Sequence, residues 1–183
     1  MIGFRDLYTP RKSFLYRFKK CGSLTFIIRV LSLPLTSQFL IIKHSNEIYI
    51  GIGSDHTDRK LESISVPKAK QICPKPIGKE VWLYKDIKEH WNEIEAESYQ
   101  NIKGEKILYQ KGKLSEILPV EKIISELENR VGDIEDSIIF SGTVPLISTF
   151  KYGDEFICKI YDKKNNSTLN LNYEINQISE EEK

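Results

Sequence analysis

Short apolar runs, each closed by turn residues, recur along this chain from Leu24 onward, and they predict strands more often than helices. Leu24–Val30 is the first. Phe39–Lys43 and Glu47–Ile52 flank His44-Ser45-Asn46 and predict a hairpin. Glu97–Ile102 and Lys106–Gln110 pair around Lys103-Gly104-Glu105, and Glu155–Tyr161 and Thr168–Tyr173 pair around 163–166. Ser137–Phe140 reads as a buried strand that runs into Ser141-Gly142-Thr143. Helical spacing is confined to three places. Residues 60–71 read as a helix broken near Pro67. Asp86–Ile94 puts Ile87, Trp91 and Ile94 on one face, and a helix from Pro119 to about Arg130 buries Ile123, Ile124 and Leu127. The pattern predicts one α+β, mostly β domain with short helices between strands.

Charge divides the chain. The first forty residues hold seven Lys/Arg and one acid, and the remainder is net acidic, although the whole carries only +1. Residues 1–27 therefore form an atypical basic segment ahead of a domain over 28–175, with a polar tail at 176–183. The basic segment has no amphipathic period and no recognition motif, so neither nucleic acid nor a membrane is expected as a partner. Leu24–Leu40 is interrupted by Arg29, Ser32, Pro34, Thr36, Ser37 and Gln38, too polar to cross a bilayer. Cys21, Cys73 and Cys158 are far apart, and no Cys/His cluster accompanies them, which argues against zinc and against a disulfide framework. Free thiols fit a cytoplasmic protein. Cys73 has no identifiable His or Asn partner and is not read as a nucleophile.

The densest polar chemistry is Gly51-Ile52-Gly53-Ser54-Asp55-His56-Thr57-Asp58-Arg59, which follows directly on the second strand of the first hairpin. Two readings stand. Asp55 can cap the next helix, with Asp58 near its third position and Arg59 as an ion-pair partner. Alternatively, Asp55 is a carboxylate at a pocket mouth, able to share a hard cation with other oxygens. His56 is a candidate general base, or simply a hydrogen-bonded loop residue. Lys70, ahead of the stiff Cys73-Pro74-Lys75-Pro76 loop, is a candidate electrostatic clamp or a solvated surface lysine. Ser141-Gly142-Thr143 offers a hydroxyl and backbone N–H groups, or an ordinary turn.

Taken together, Gly53–Arg59, Lys70-Gln71-Ile72-Cys73-Pro74-Lys75-Pro76 and Ser141-Gly142-Thr143-Val144-Pro145 resemble an uncharacterised family within the fumarylacetoacetate hydrolase-like superfamily, over about residues 28–173. The resemblance implies a mixed-sheet fold, a homodimer, Mg²⁺ or Mn²⁺ at the pocket, and hydrolase or lyase chemistry on a small 2-oxo or 2,4-dioxo acid. By position it implies Asp55 as the metal ligand, Lys70 and Arg59 as catalytic residues and Thr143 as a substrate contact. His56 joins the catalytic candidates, and Gly142 and Ser54 the substrate-binding ones, from their places beside these residues. The metal would chelate the oxo acid and stabilise an enolate, and Lys70 would add positive charge.

One departure is large. The superfamily places a Glu-x-Glu metal pair on the strand before the aspartate motif, and that strand here reads Thr36-Ser37-Gln38-Phe39-Leu40-Ile41-Ile42, without an acid. The usual amino-terminal portion, which in hydrolases supplies a His–Glu pair, has no recognisable counterpart. The expectation is a degenerate, truncated or frame-altered start. The functional alternative is a catalytically inactive small-molecule-binding or structural homologue.

Overall fold

The computed structural model describes residues 7–8, 15–18, 28–30, 36–147 and 153–177, with side chains over 36–58, 60–147 and 153–175. Two sheets face each other. The first contains β1 (Leu7–Tyr8), β2 (Leu15–Phe18), β6 (Glu80–Leu83), β5 (Glu47–Ser54), β4 (Ser37–His44) and β9 (Ser137–Thr143), in that order. The second contains β3 (Ile28–Val30), β11 (Ser167–Gln177), β10 (Glu155–Asp162), β7 (Glu95–Ile102) and β8 (Glu105–Lys113). Every pairing is antiparallel except β3 with β11, which makes the second sheet mixed. The expected α+β, mostly β architecture is what the chain adopts. Most of the basic 1–27 segment, all of 178–183 and the start of the Leu24–Val30 run lie outside the described residues.

The core follows from alternation. Phe39 and Ile41 of β4 and Ile50 and Ile52 of β5 point between the sheets, where they meet Phe156, Cys158 and Ile160 of β10 and Leu169, Leu171 and Tyr173 of β11. Leu40 and Ile42 turn to the opposite face and pack with Val81. Both faces of β4 are thus covered, which is why its sequence is a continuous apolar run rather than an alternation. The β4–β5 loop is Ser45-Asn46 with φ of 53° and 59°, and the β7–β8 loop is Lys103-Gly104 with φ of 51° and 85°. Two-residue loops with both φ positive match the twist of the strands they join.

The helices are short. Residues 60–71 split as expected, into α1 (Arg59–Glu62) and α2 (Val66–Gln71), with Pro67 in the first turn of α2, where its missing N–H is not needed. The run at Asp86–Ile94 is only partly α-helical. α3 covers Tyr84–Ile87, and a 3₁₀ stretch, Lys88–Glu93, follows with a kink at His90. The kink turns His90 inward to the Asp162 carboxylate at 2.9 Å, and Trp91 stacks edge-on against Phe39 and Tyr84 at 5.2 and 5.5 Å. α4 (Val120–Val131) begins after Pro119 and ends at Gly132, whose φ is +83°. Among the described residues no helix is long and apolar enough to cross a membrane.

Candidate functional site

β5 ends at Ser54, and the chain then turns out of the sheet through Asp55-His56-Thr57-Asp58 before α1 starts. Its glycines permit this. A Cβ on Gly53 would lie 2.8 Å from Leu40 Cδ2 and 3.0 Å from Phe140 Cε1, so the end of β5 packs flat on its neighbours. Asp55 N–H donates to Thr36 O at 3.2 Å, pinning the turn to the start of β4.

The helix cap belongs to Asp58, not to Asp55: the Asp58 carboxylate accepts from the backbone N–H of Leu61 at 2.9 Å. This corrects the capping arrangement considered from sequence and leaves Asp55 without a local helical task. Its carboxylate is 8% exposed and lies between two lysines. Lys70, on the last turn of α2, holds Oδ2, and Lys75 Nζ is 2.7 Å from Oδ1. Lys75 also donates to the backbone carbonyl of His56. Burial alone would raise the Asp55 carboxyl; the hydrogen bonds and charges of Lys70 and Lys75 outweigh it and hold the carboxyl below its ordinary value.

The Cys73–Gly78 loop that carries Lys75 is itself fixed. Ser54 N–H donates to Pro76 O at 2.9 Å, Gly78 N–H donates to Ile52 O at 2.7 Å, and Gly53 bridges to Ile77. A Cβ on Gly78 would fall 2.5 Å from Ile52 Cγ2, so only glycine lets the loop approach β5 this closely. Cys73 Sγ donates to Ala69 O, and burial pushes its thiol pKa up, so it is no nucleophile here.

His56 is fully buried. Its Nε2 lies 2.9 Å from the Tyr173 hydroxyl, which also donates to Ser54 Oγ at 2.9 Å. Among the described residues its Nδ1 has no hydrogen-bond partner. Burial, reinforced by the Lys75 charge and opposed by Asp55, lowers the imidazole to about 4, so it is neutral at pH 7. Burial likewise raises the Tyr173 phenol well above its ordinary value.

Thr143 and Gly142 sit at the end of β9. Register places Thr143 opposite Gln38, and Ser37 opposite Ser54, so three strand ends line up at one edge of the sheet. The Thr143 hydroxyl donates to Ser37 O at 3.0 Å and accepts from Gln110 Nε2 at 2.6 Å. Gln110 in turn accepts from Ser37 N–H and Ser98 Oγ, each at 2.8 Å. Thr143 and Gly142 line a shallow groove of about 370 Å³ with Ile117 and Phe140. Arg59 is the first residue of α1, and its side chain lies outside the described set.

Four residues of this arrangement were not singled out from sequence: Lys75, Tyr173, Gln110 and Ser37. Lys75 had a signal, since Pro74 and Pro76 stiffen its backbone on both sides. Tyr173 had only its place in the inward alternation Leu169, Leu171, Tyr173, Ile175. Nothing local marks Gln110 or Ser37.

The donor set does not fit a divalent cation. Mg²⁺ and Mn²⁺ take several oxygens, whereas here both oxygens of one carboxylate already hold ammonium groups. A pair of unit charges 4 Å apart is worth about 4 kcal/mol at the effective dielectric of a protein surface, so each lysine would repel a doubly charged ion by about twice that before screening. Among the described residues, the grouping of three metal-capable side chains is His44, Glu135 and Asp136, at the opposite end of β4.

Residues 36–173 match the model of a family of proteins of unknown function, DUF2848, and the chain belongs to that family. The fold is shared with several solved structures. One is a 2-keto-3-deoxy-D-arabinonate dehydratase complexed with magnesium and 2,5-dioxopentanoate, at 20% identity and TM-score 0.63. Its apo form matches at 19% identity and TM-score 0.64, and Cg1458 at 16% and 0.64. In each case 84% of this chain is covered, but only 57–64% of the neighbour for the latter two and 58% for the complex, so this chain spans little more than half their length. No curated protein matches the chain.

Proposed function

We propose that the chain is a fumarylacetoacetate hydrolase-like protein that takes a small 2-oxo or 2,4-dioxo acid at the end of β5. The observation that carries this reading is the Lys70–Asp55–Lys75 group, whose two cations outnumber its one anion, in a fold that resembles a dehydratase solved with magnesium and 2,5-dioxopentanoate. A substrate carboxylate or enolate oxygen is the anion such a group receives. Lys70 and Lys75 donate to it, Asp55 keeps the two ammonium groups oriented, and the Cys73–Gly78 loop holds the spacing. Lysine charge aimed at an enolate lowers the barrier to cleavage, hydration or decarboxylation of an oxo acid. Mg²⁺ or Mn²⁺ is the cofactor the resemblance implies, and the donor set at Asp55 does not fit it. The proposal includes a homodimer in the cytoplasm, checked by light scattering and by cell fractionation.

Binding without turnover is the second reading, favoured by a specific observation. The imidazole expected to act as a base is fully buried and lies against Tyr173, and no carboxylate other than Asp55 joins the lysines among the described residues. A screen of purified protein against 2-oxo and 2,4-dioxo acids, following both product formation and protection against unfolding, separates the two. Turnover supports the enzyme, protection without turnover supports the binding homologue, and neither effect refutes an oxo-acid site.

A further inference from the structure

We propose that the lysine pair takes the place of the metal: Lys70 and Lys75, held apart by Asp55, form a metal-independent receptor for the carboxylate of an oxo acid. This rests on the oxo-acid reading of the site and goes beyond it by assigning Lys75 and by removing the cation. Exposure grades outward from the buried Asp55 carboxylate, 8% exposed, to Lys75 at 26% and Lys70 at 43%. The anion of the group is thus at the bottom and the cations face solvent. An ammonium has three N–H donors. Lys75 gives one to Asp55 and one to the His56 carbonyl, and Lys70 gives one to Asp55. Their remaining N–H groups have no partner among the described residues, and the group keeps a net charge of one positive unit.

The substitution is visible in the sequence around the site as well. Strand β4, which runs beside β5, presents Ser37 and Gln38 at this end, so among its described residues no second carboxylate stands where a divalent ion would share one with Asp55. Asp55 then has a different task from a metal ligand. It neutralises part of the repulsion between two ammonium groups and fixes their separation.

The two assignments differ in their dependence on magnesium. If Asp55 binds a metal that chelates the oxo acid, pyruvate binding is lost in EDTA and restored by Mg²⁺. If Asp55 instead tethers two lysines, binding persists in EDTA and depends on both lysines. The experiment is calorimetric titration of the full chain with pyruvate, in EDTA and again in excess MgCl₂, for wild type, Lys70→Gln and Lys75→Gln, with thermal unfolding of each variant as the folding control. The expected result is pyruvate affinity in EDTA that Mg²⁺ does not change, and about tenfold weaker binding in each lysine variant. Because Lys70 is the more exposed lysine, its variant carries the test should Lys75→Gln fail to fold. Binding that requires Mg²⁺, or that is unchanged in both folded lysine variants, overturns the lysine receptor and leaves the oxo-acid site standing. Absence of pyruvate binding by folded wild type in both buffers overturns both.

Discussion

Acidification between about pH 7.5 and about pH 4.5 destabilises this protein through one residue, His56. The side chain is fully buried against Tyr173, and burial first, then the Lys75 charge, bring its folded pKa from the ordinary 6.5 to about 4, with Asp55 opposing. The unfolded chain therefore binds a proton that the folded chain refuses. A group whose folded pKa is depressed stabilises the fold above its unfolded pKa and loses that contribution as pH falls toward the folded value. The loss starts near pH 6.5 and is complete near pH 4. At about 1.4 kcal/mol per pH unit, most of the window is crossed by pH 4.5, for a loss of about 2.5 kcal/mol. His56→Gln keeps a polar group beside the Tyr173 hydroxyl but cannot titrate. Urea unfolding of wild type and variant across this range should show wild type losing about 2.5 kcal/mol more than the variant. The Asp55 carboxyl is held below its ordinary value and is present in both proteins, so it cancels in the difference. Stability curves that run parallel, within about 0.5 kcal/mol, would refute a neutral buried imidazole.

Asp58→Ala removes the cap on the Leu61 N–H and should cost about 1 kcal/mol in urea unfolding, with pyruvate binding unchanged, because the cap does not touch the lysine pair. Gly78→Ala places a methyl against Ile52 and pushes the Lys75 loop off β5. About 1–3 kcal/mol of stability is lost, and pyruvate affinity falls with it in the same calorimetric assay. Gln110→Leu strips partners from Ser37 N–H, Ser98 Oγ and Thr143 Oγ1 at a buried position. The expected cost is on the order of 3 kcal/mol, read as a lowered thermal midpoint.

Local order was legible from the chain alone wherever a strand had neighbours on both faces or a turn demanded special backbone. The β4–β5, β7–β8 and β10–β11 hairpins fall where apolar runs meet Ser45-Asn46, Lys103-Gly104 and 163–166, because alternation and turn chemistry act over a few residues. The break just ahead of Pro67 and the helix after Pro119 are equally local. The run at Asp86–Ile94 shows the limit. Its spacing is helical, but a contact 72 residues away, His90 to Asp162, converts most of it to a kinked 3₁₀ stretch.

The candidate site divides the same way. The polar segment after the strand end pointed to Asp55 and His56, and the resemblance to the superfamily joined Lys70 to them. Which aspartate caps the helix is a matter of backbone geometry at Asp58 that two candidates three residues apart leave undetermined. Lys75 gains its place only because the Cys73–Gly78 loop pairs with the end of β5, and Tyr173 only because β11 lies across from β5 in the facing sheet. The sequence by itself determined the strands, the turns and the polar segment at the end of β5, for these are set by side-chain period and by backbone preference over a few residues. Tertiary structure alone decided that both oxygens of the Asp55 carboxylate meet lysines and that His56 stays neutral, because ion pairing and desolvation depend on groups brought together from distant parts of the chain.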